Sequence, residues 1–141
     1  MDIVTPGRRS EIMSRIRSRD TKPELAVRRF LHACGLRFYV HRLNLPGTPD
    51  LVFNSRRICL FVHGCFWHGC PNCVDGTREV KSNTKYWDAK IAGNRLRDAR
   101  NWKELEQFGW RVMVVWECEI WKPGRLTTLA NDIQSAPRIR R

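Results

Sequence analysis

Apolar residues recur along this chain with two periods, and the periods mark out helices and strands in alternation. Between Thr21 and Gly35, the residues Val27, Phe30, Leu31 and Cys34 follow at helical spacing. Thr21-Lys22-Pro23-Glu24 supplies a T-x-x-E capping box with proline in the first turn, and Gly35 supplies the stop. Three extended segments come next, Arg37 to His41, Asp50 to Asn54 and Arg57 to Val62, with Asn54-Ser55-Arg56 turning the second into the third. The third is a nearly unbroken apolar run, suited to a central strand covered on both faces. From Thr84 to Phe108 the pattern is helical again, with Trp87, Ile91, Ala99, Trp102 and Leu105 among its apolar positions and Gly109 as the stop. Trp110 to Trp116 then alternates into a further strand, and a final helix begins after Pro123-Gly124. The order αβββαβα predicts a three-strand meander joined by a helical crossover to a further strand, hence an α/β sandwich.

At 141 residues the chain suits one domain, large enough to bury a core without covalent staples. No repeat or low-complexity linker divides it. Charge changes the picture more: 26 Lys+Arg against 14 Asp+Glu leave a net charge of +12. Such an excess favours a polyanion through phosphate contacts and counterion release, and nucleic acid is the leading candidate. A membrane partner is not expected, because no amphipathic helix with a long apolar face, lipidation signal or bilayer-length apolar run is visible. With no secretory leader either, the expected setting is the cytoplasm, associated with the nucleoid. Residues 8 to 20 are rich in arginine and weakly apolar. They read either as a basic arm ordered by what it binds or as a solvated surface. The tail ends in Arg138, Arg140 and Arg141 with little to order it.

The six cysteines do not read as disulfides in such a setting. Cys34 and Cys59 fall on apolar faces and are expected to be buried as small hydrophobes. The other four are different. Residues 62–73, Val-His-Gly-Cys-Phe-Trp-His-Gly-Cys-Pro-Asn-Cys, place Cys65, Cys70 and Cys73 close together, and Cys118 follows the last strand. Four thiolates complete a closed tetrahedral Zn²⁺ site, which is structural, since a catalytic zinc keeps an open position. The bland alternative is a set of unrelated thiols, and His68 could replace one of them as a ligand.

Asp50 enters a strand from Leu45-Pro46-Gly47-Thr48-Pro49, where a carboxylate at a sheet end suits a hard cation such as Mg²⁺, although proline-aspartate at a turn is commonplace. The third strand runs beside it and ends at His63. For phosphodiester hydrolysis a cation must offset phosphate charge and a base must activate water. Asp50 could hold Mg²⁺, His68 could take the water proton, His63 could contact the phosphate, and Asp98 could orient a histidine. Alternatively both histidines support or ligate zinc. Phe66, Trp67 and Trp87 belong either to the core or to an apolar wedge that unstacks a duplex, a role favoured by the nearby Lys85 and Lys90.

In combination these residues resemble the very short patch repair endonucleases, which nick one strand at T:G mismatches. The resemblance spans about residues 8 to 121. It rests on Arg9-Ser10-x-x-Met13-Ser14-x-Ile16, Arg19-Asp20-Thr21-x-x-Glu24, Leu45-Pro46-Gly47-x-Pro49-Asp50 and His63-Gly64-Cys65-Phe66-Trp67-His68. Further along it rests on Tyr86-Trp87-x-x-Lys90-Ile91, Asn94-x-x-Arg97-Asp98, Gly109-Trp110-Arg111-Val112 and Val115-Trp116-Glu117-Cys118. The resemblance implies a restriction-endonuclease-like αβββαβ core with a mixed central sheet flanked by helices. It also implies Mg²⁺-dependent nicking 5′ of the mismatched thymine, at lesions left when 5-methylcytosine deaminates. By position Asp50 is similar to the family's metal-binding aspartate, with the Val62 carbonyl as companion ligand. His68 then corresponds to the general base, His63 to the phosphate-side histidine and Asp98 to their supporting carboxylate. Glu24 matches a residue near the active site, so capping and functional roles compete for it. Phe66, Trp67 and Trp87 correspond to the wedge, Lys90 and Asn94 to positions near the bases, and the arm 1–20 to a segment that clasps DNA.

The implied setting is a monomer, a single nuclease domain over 1–141 with 122–141 as a C-terminal extension, functionally linked to a cytosine-5 DNA methyltransferase. The chain departs from the family at the zinc site, where relatives often have cysteine, four residues, histidine, one residue, cysteine; here the ligands are expected to be Cys65, Cys70, Cys73 and Cys118. Val62 also replaces a more usual threonine. Two other functions compete: a zinc-stabilised DNA-binding module without activity, and a related nuclease for another DNA substrate.

Overall fold

The computed structural model describes residues 20–65, 70 and 84–139. Its first helix, α1 (Lys22–Ala33), starts where the sequence places it, with the Thr21 hydroxyl accepting from the Glu24 amide at 3.4 Å. The reciprocal half of the capping box is absent. Glu24 does not turn back to the helix end; its side chain is 2% exposed and points inward.

Among the described residues the sheet has four strands in spatial order β1 (Tyr39–Val40), β2 (Leu51–Phe53), β3 (Ile58–His63), β4 (Arg111–Trp116). The first two pairings are antiparallel and β3–β4 is parallel, as the meander and crossover predict. The crossover is α2 (Thr84–Gln107), ended by Gly109 at φ +88. Two short segments, α3 (Glu117–Ile120) and α4 (Arg125–Ser135), close the chain. The first strand is shorter than the predicted Arg37 to His41, beginning at Tyr39 and ending before His41, whose left-handed φ of 50 breaks the extended run. An Asn54–Arg56 3₁₀ turn joins β2 to β3 and puts Arg57, also left-handed at φ 55, outside the strand.

Strand alternation explains the two halves of the core. Ile58 and Leu60 of β3 face Val27 and Leu31 of α1 together with Leu129 and Ile133 of α4. Cys59 and Phe61 face the other way, toward Leu105 of α2 and Trp110. Both faces of β3 are thus covered, which is why its sequence is apolar throughout. Each fully buried leucine or isoleucine in these layers contributes about 1.5–3 kcal/mol.

The region after Trp121, for which a final helix but no functional role is predicted, is part of this fold. Leu126, Leu129, Ala130 and Ile133 fall on one face of α4 and join the first cluster. Arg56 donates to the carbonyls of Gln134 and Ala136, and the Ile139 amide donates to Ser55 at 2.6 Å, strapping the tail to the β2–β3 turn. One expectation is corrected: Cys34 is exposed, because it is the C-cap of α1 and the chain turns away there. Cys59 is buried as expected, and burial pushes its thiol up to about 12.

Candidate metal and nuclease site

The loop that carries Asp50 is fixed by close approach to α2. Gly47, at φ +77, has Asn101 and Phe61 so near that an added Cβ would lie 3.1 and 3.2 Å from them. Only glycine meets both demands, the backbone angle and the contact. The chain then delivers Asp50 to the end of β3, where its Oδ2 accepts from the Val62 amide at 2.6 Å. Burial is the main reason the Asp50 carboxyl is pushed up to about 8. The Val62 amide opposes that shift, while the adjacent carboxylate of Glu24, within hydrogen-bonding reach, adds to it. Asp50 and Glu24 therefore stand as two neighbouring carboxyl groups, and burial disfavours the charged form of Asp50.

Glu24 is held from its far side. Arg28, one turn along α1, donates to Glu24 Oε1 at 3.0 Å and pairs with Asp20 at 2.8 Å. The same Arg28 nitrogen, Nη2, lies 2.8 Å from His41 Nε2, and that imidazole nitrogen is 3.1 Å from Glu24. The Arg28 hydrogen bond is also the main reason the Asp20 carboxyl sits below its ordinary range. Sequence reasoning missed Arg28 and His41. The Glu24–Arg28 i,i+4 spacing is a visible signal for the first; nothing local points to the second, which arrives from the loop after β1.

His63 follows Val62 but its ring turns to the opposite layer. It stacks on Trp102 of α2 at 5.6 Å and meets Phe61 and Trp116 edge-on. Its Nδ1 is 3.9 Å from Asp98 Oδ2, an ion-pair distance for a protonated imidazole and longer than a hydrogen bond. Asp98 shares a face of α2 with Asn94 and Trp87, and Lys90 lies one turn beyond Trp87 with its ammonium 6.0 Å from the Tyr86 ring. That helix runs from a buried end at Leu105 to an exposed one at Lys90 and Tyr86. The structure thus brings Asp50, Glu24 and the Val62 amide together on the α1 side, and His63 with Asp98 on the α2 side.

Cys65, Cys70 and Cys118 place their sulfurs within 4.8 Å of one another, none in a disulfide. Thiolates about 2.3 Å from a tetrahedral zinc stand roughly 3.8 Å apart. Cys70 Sγ and Cys118 Sγ are 3.8 Å apart, and the Cys118 amide donates to Cys65 Sγ at 3.3 Å. Donor chemistry and spacing therefore fit a soft cation, and the oxygen pair at Asp50 and Glu24 fits a hard one. Phe66, Trp67, His68 and Cys73, with the arm before Asp20, lie outside the described residues.

An αβββαβ order around a mixed sheet, with paired carboxylates at a strand end, is consistent with the restriction-endonuclease-like class of fold. Residues 1–73 match the family described as DNA mismatch endonuclease Vsr. A type II nicking enzyme, V.XorIIP, of Xanthomonas oryzae is 51% identical over 132 residues, covering 94% of this chain and 96% of the relative. A second nicking enzyme, V.NmeAIP of Neisseria meningitidis, is 42% identical over 139 residues, 96% of this chain and 98% of its own. The DNA mismatch endonuclease Vsr of Escherichia coli is 39% identical over 130 residues, 89% of this chain and 80% of its own. The chain belongs to the DNA mismatch endonuclease Vsr family. Among its described residues no helix is long and apolar enough to cross a membrane.

Proposed function

We propose that this chain is a DNA endonuclease of mismatch repair that nicks one strand 5′ of the thymine in a T:G mismatch, using Mg²⁺. The observation that carries the reading is the carboxylate of Asp50, fixed by the Val62 amide at the end of the central strand with Glu24 against it. Bound there, Mg²⁺ would supply positive charge to the scissile phosphate and a more acidic water. The chain's own residues divide the remaining work. Asp50 and the Val62 carbonyl would hold the cation, and His68 takes the proton from the attacking water. His63, with Asp98 Oδ2 3.9 Å from its Nδ1, faces the phosphate. The Trp87, Lys90 and Asn94 positions on α2 meet the distorted duplex, with Phe66 and Trp67 as the rest of an apolar wedge.

In this reading Zn²⁺ is held by Cys65, Cys70, Cys73 and Cys118 and braces the segment after β3 against the end of β4. The protein is a monomer with one nuclease domain over 1–141, whose basic residues 1–20 embrace the DNA and whose 122–141 extension steadies the sheet. It works in the cytoplasm on the nucleoid, beside a cytosine-5 DNA methyltransferase whose product generates the lesions. The net charge of +12 supports a polyanionic substrate, and the names of the relatives support nicking and mismatch repair.

The direct test is a labelled T:G duplex incubated with the zinc-loaded chain, with and without Mg²⁺, beside its matched counterpart. A single cut 5′ of the thymine, dependent on Mg²⁺ and absent from the matched duplex, is expected. Salt-sensitive binding with no cut would instead indicate a zinc-braced DNA-binding module. Equal cutting of both duplexes would indicate a nuclease for another DNA substrate.

A further inference from the structure

Five arginines meet at the end of the sheet away from Asp50. Asp50 lies beside Val62, and the other end of that strand is Ile58, roughly 13 Å away at about 3.3 Å per residue. Arg56 and Arg57 come just before Ile58, and Arg111 opens β4 with its amide donating to the Arg57 carbonyl at 2.7 Å. Arg138 is carried to the same turn by the bond from the Ile139 amide to Ser55. Arg37 precedes β1 at this end, since Tyr39 lies level with Val52 and Cys59. Three of the five are anchored. Arg56 donates to the carbonyls of Gln134 and Ala136, Arg37 to those of His32 and Leu36, and Arg57, at its left-handed φ of 55, lies over the Trp110 ring at 5.1 Å. Arg111 and Arg138 are exposed, and neither pairs with a carboxylate among the described residues. Of the segment 109–112, Gly109 ends α2 while Trp110 and Val112 enter the core, which leaves Arg111 without a packing role.

We propose that this far end of the sheet is a second DNA-binding surface, which takes the backbone phosphates of another duplex while the first lies at Asp50. Guanidinium forks match phosphate oxygens two at a time. Strands about 4.8 Å apart set Arg37, Arg57 and Arg111 along a row of about 14 Å, and Arg138 adds to it from the tail. Three forks already held in place lose little freedom when an anion arrives. The sheet stands between this row and Asp50, so one short straight duplex does not touch both. A chain that holds two duplexes passes from one to the other without going free, a search that sequence-independent phosphate contacts support. The inference rests on the proposed function only in placing the first duplex at Asp50.

The experiment loads the full-length chain with a short fluorescent T:G duplex without Mg²⁺, then adds unlabelled matched duplex. Sedimentation is expected to show a complex with two duplexes, the second bound with a Kd of roughly 10⁻⁶–10⁻⁴ M. Release of the labelled duplex should quicken as the matched duplex is raised. In Arg111→Gln/Arg138→Gln the salt slope of the second binding step should fall by roughly two, one per lost phosphate contact. Release from Arg111→Glu/Arg138→Glu should no longer depend on the matched duplex, with single-turnover nicking unchanged. Wild type that takes up one duplex only, or a glutamine variant with the wild-type salt slope, would overturn the proposal. So would polyglutamate binding the loaded complex where matched duplex does not, which would make the surface a dock for an acidic polypeptide. Should the glutamate variant fail to fold, the glutamine variant decides alone. Failure of the underlying reading is seen separately, as a first binding step with no preference for T:G over matched duplex.

Discussion

Two candidate cation sites lie near the same ends of β3 and β4, and they are built on opposite principles. At the corner of Cys65, Cys70 and Cys118 the donors are soft, uncharged when protonated, and spaced to suit a tetrahedral ion that holds loop to strand. At the corner of Asp50 and Glu24 the donors are hard oxygens set close together, and burial disfavours the charge of Asp50. A thiol corner gains stability from its ion and keeps it. At the carboxylate corner burial favours the protonated form of Asp50, and in the proposed reading a cation takes the place of that proton. The difference teaches why one chain could carry both: in the proposed reading the first corner makes structure and the second remains available for chemistry.

The comparison breaks first at Asp50. Asp50→Asn is expected to lower nicking of a T:G duplex by roughly a thousandfold, the rate equivalent of several kcal/mol of lost charge stabilisation, with the fold and zinc content intact. A variant that nicks normally would move the chemistry elsewhere. The thiol corner should respond in the reverse manner. Cys118→Ser should lower zinc content, measured by elemental analysis, and destabilise the chain by about 3 kcal/mol or more, a fraction of the ~10–16 kcal/mol that structural zinc contributes in small domains. Zinc retained in full would remove Cys118 from the ligand set.

Acidity sharpens the contrast. Asp50 titrates near 3.8 when unfolded and at about 8 in the folded chain, so the folded state binds the extra proton between those values. Its contribution to stability is fully present below 3.8 and is lost as pH rises through about 8. Magnesium-free protein should accordingly unfold at lower denaturant as pH climbs through that window; Asp50→Asn should flatten the trend, and Mg²⁺ should restore stability at the alkaline end. The smallest effect belongs to Cys34. Being exposed and remote from the cluster, Cys34→Ser should change unfolding free energy by no more than about 0.5 kcal/mol and leave zinc unchanged.

Much of the framework is legible in the sequence alone. The apolar run from Ile58 to Val62 declares a central strand, the Gly35 and Gly109 stops bound two helices, and the Pro123-Gly124 boundary starts a third. The outcome at Glu24 was not legible, because a capping box and a buried acid share the same spacing; the inward turn follows from contacts with Asp50, Arg28 and His41, which are distant or ambiguous in sequence. Cys34 misled because helical periodicity locates a face but not the place where the next loop leaves it uncovered.

What the chain determines by itself is whatever depends on spacing along it: the periods of its helices and strands, its positive charge, and a set of cysteines suited to a soft metal. What the tertiary structure alone decides is which charges face each other. Asp50 meets Glu24 and the Val62 amide, while His63 turns toward Trp102 and Asp98, because adjacent residues of a strand point to opposite layers of a sheet covered on both sides. Electrostatic coupling depends on distance through space, and sequence separation carries no information about it until the sheet has formed.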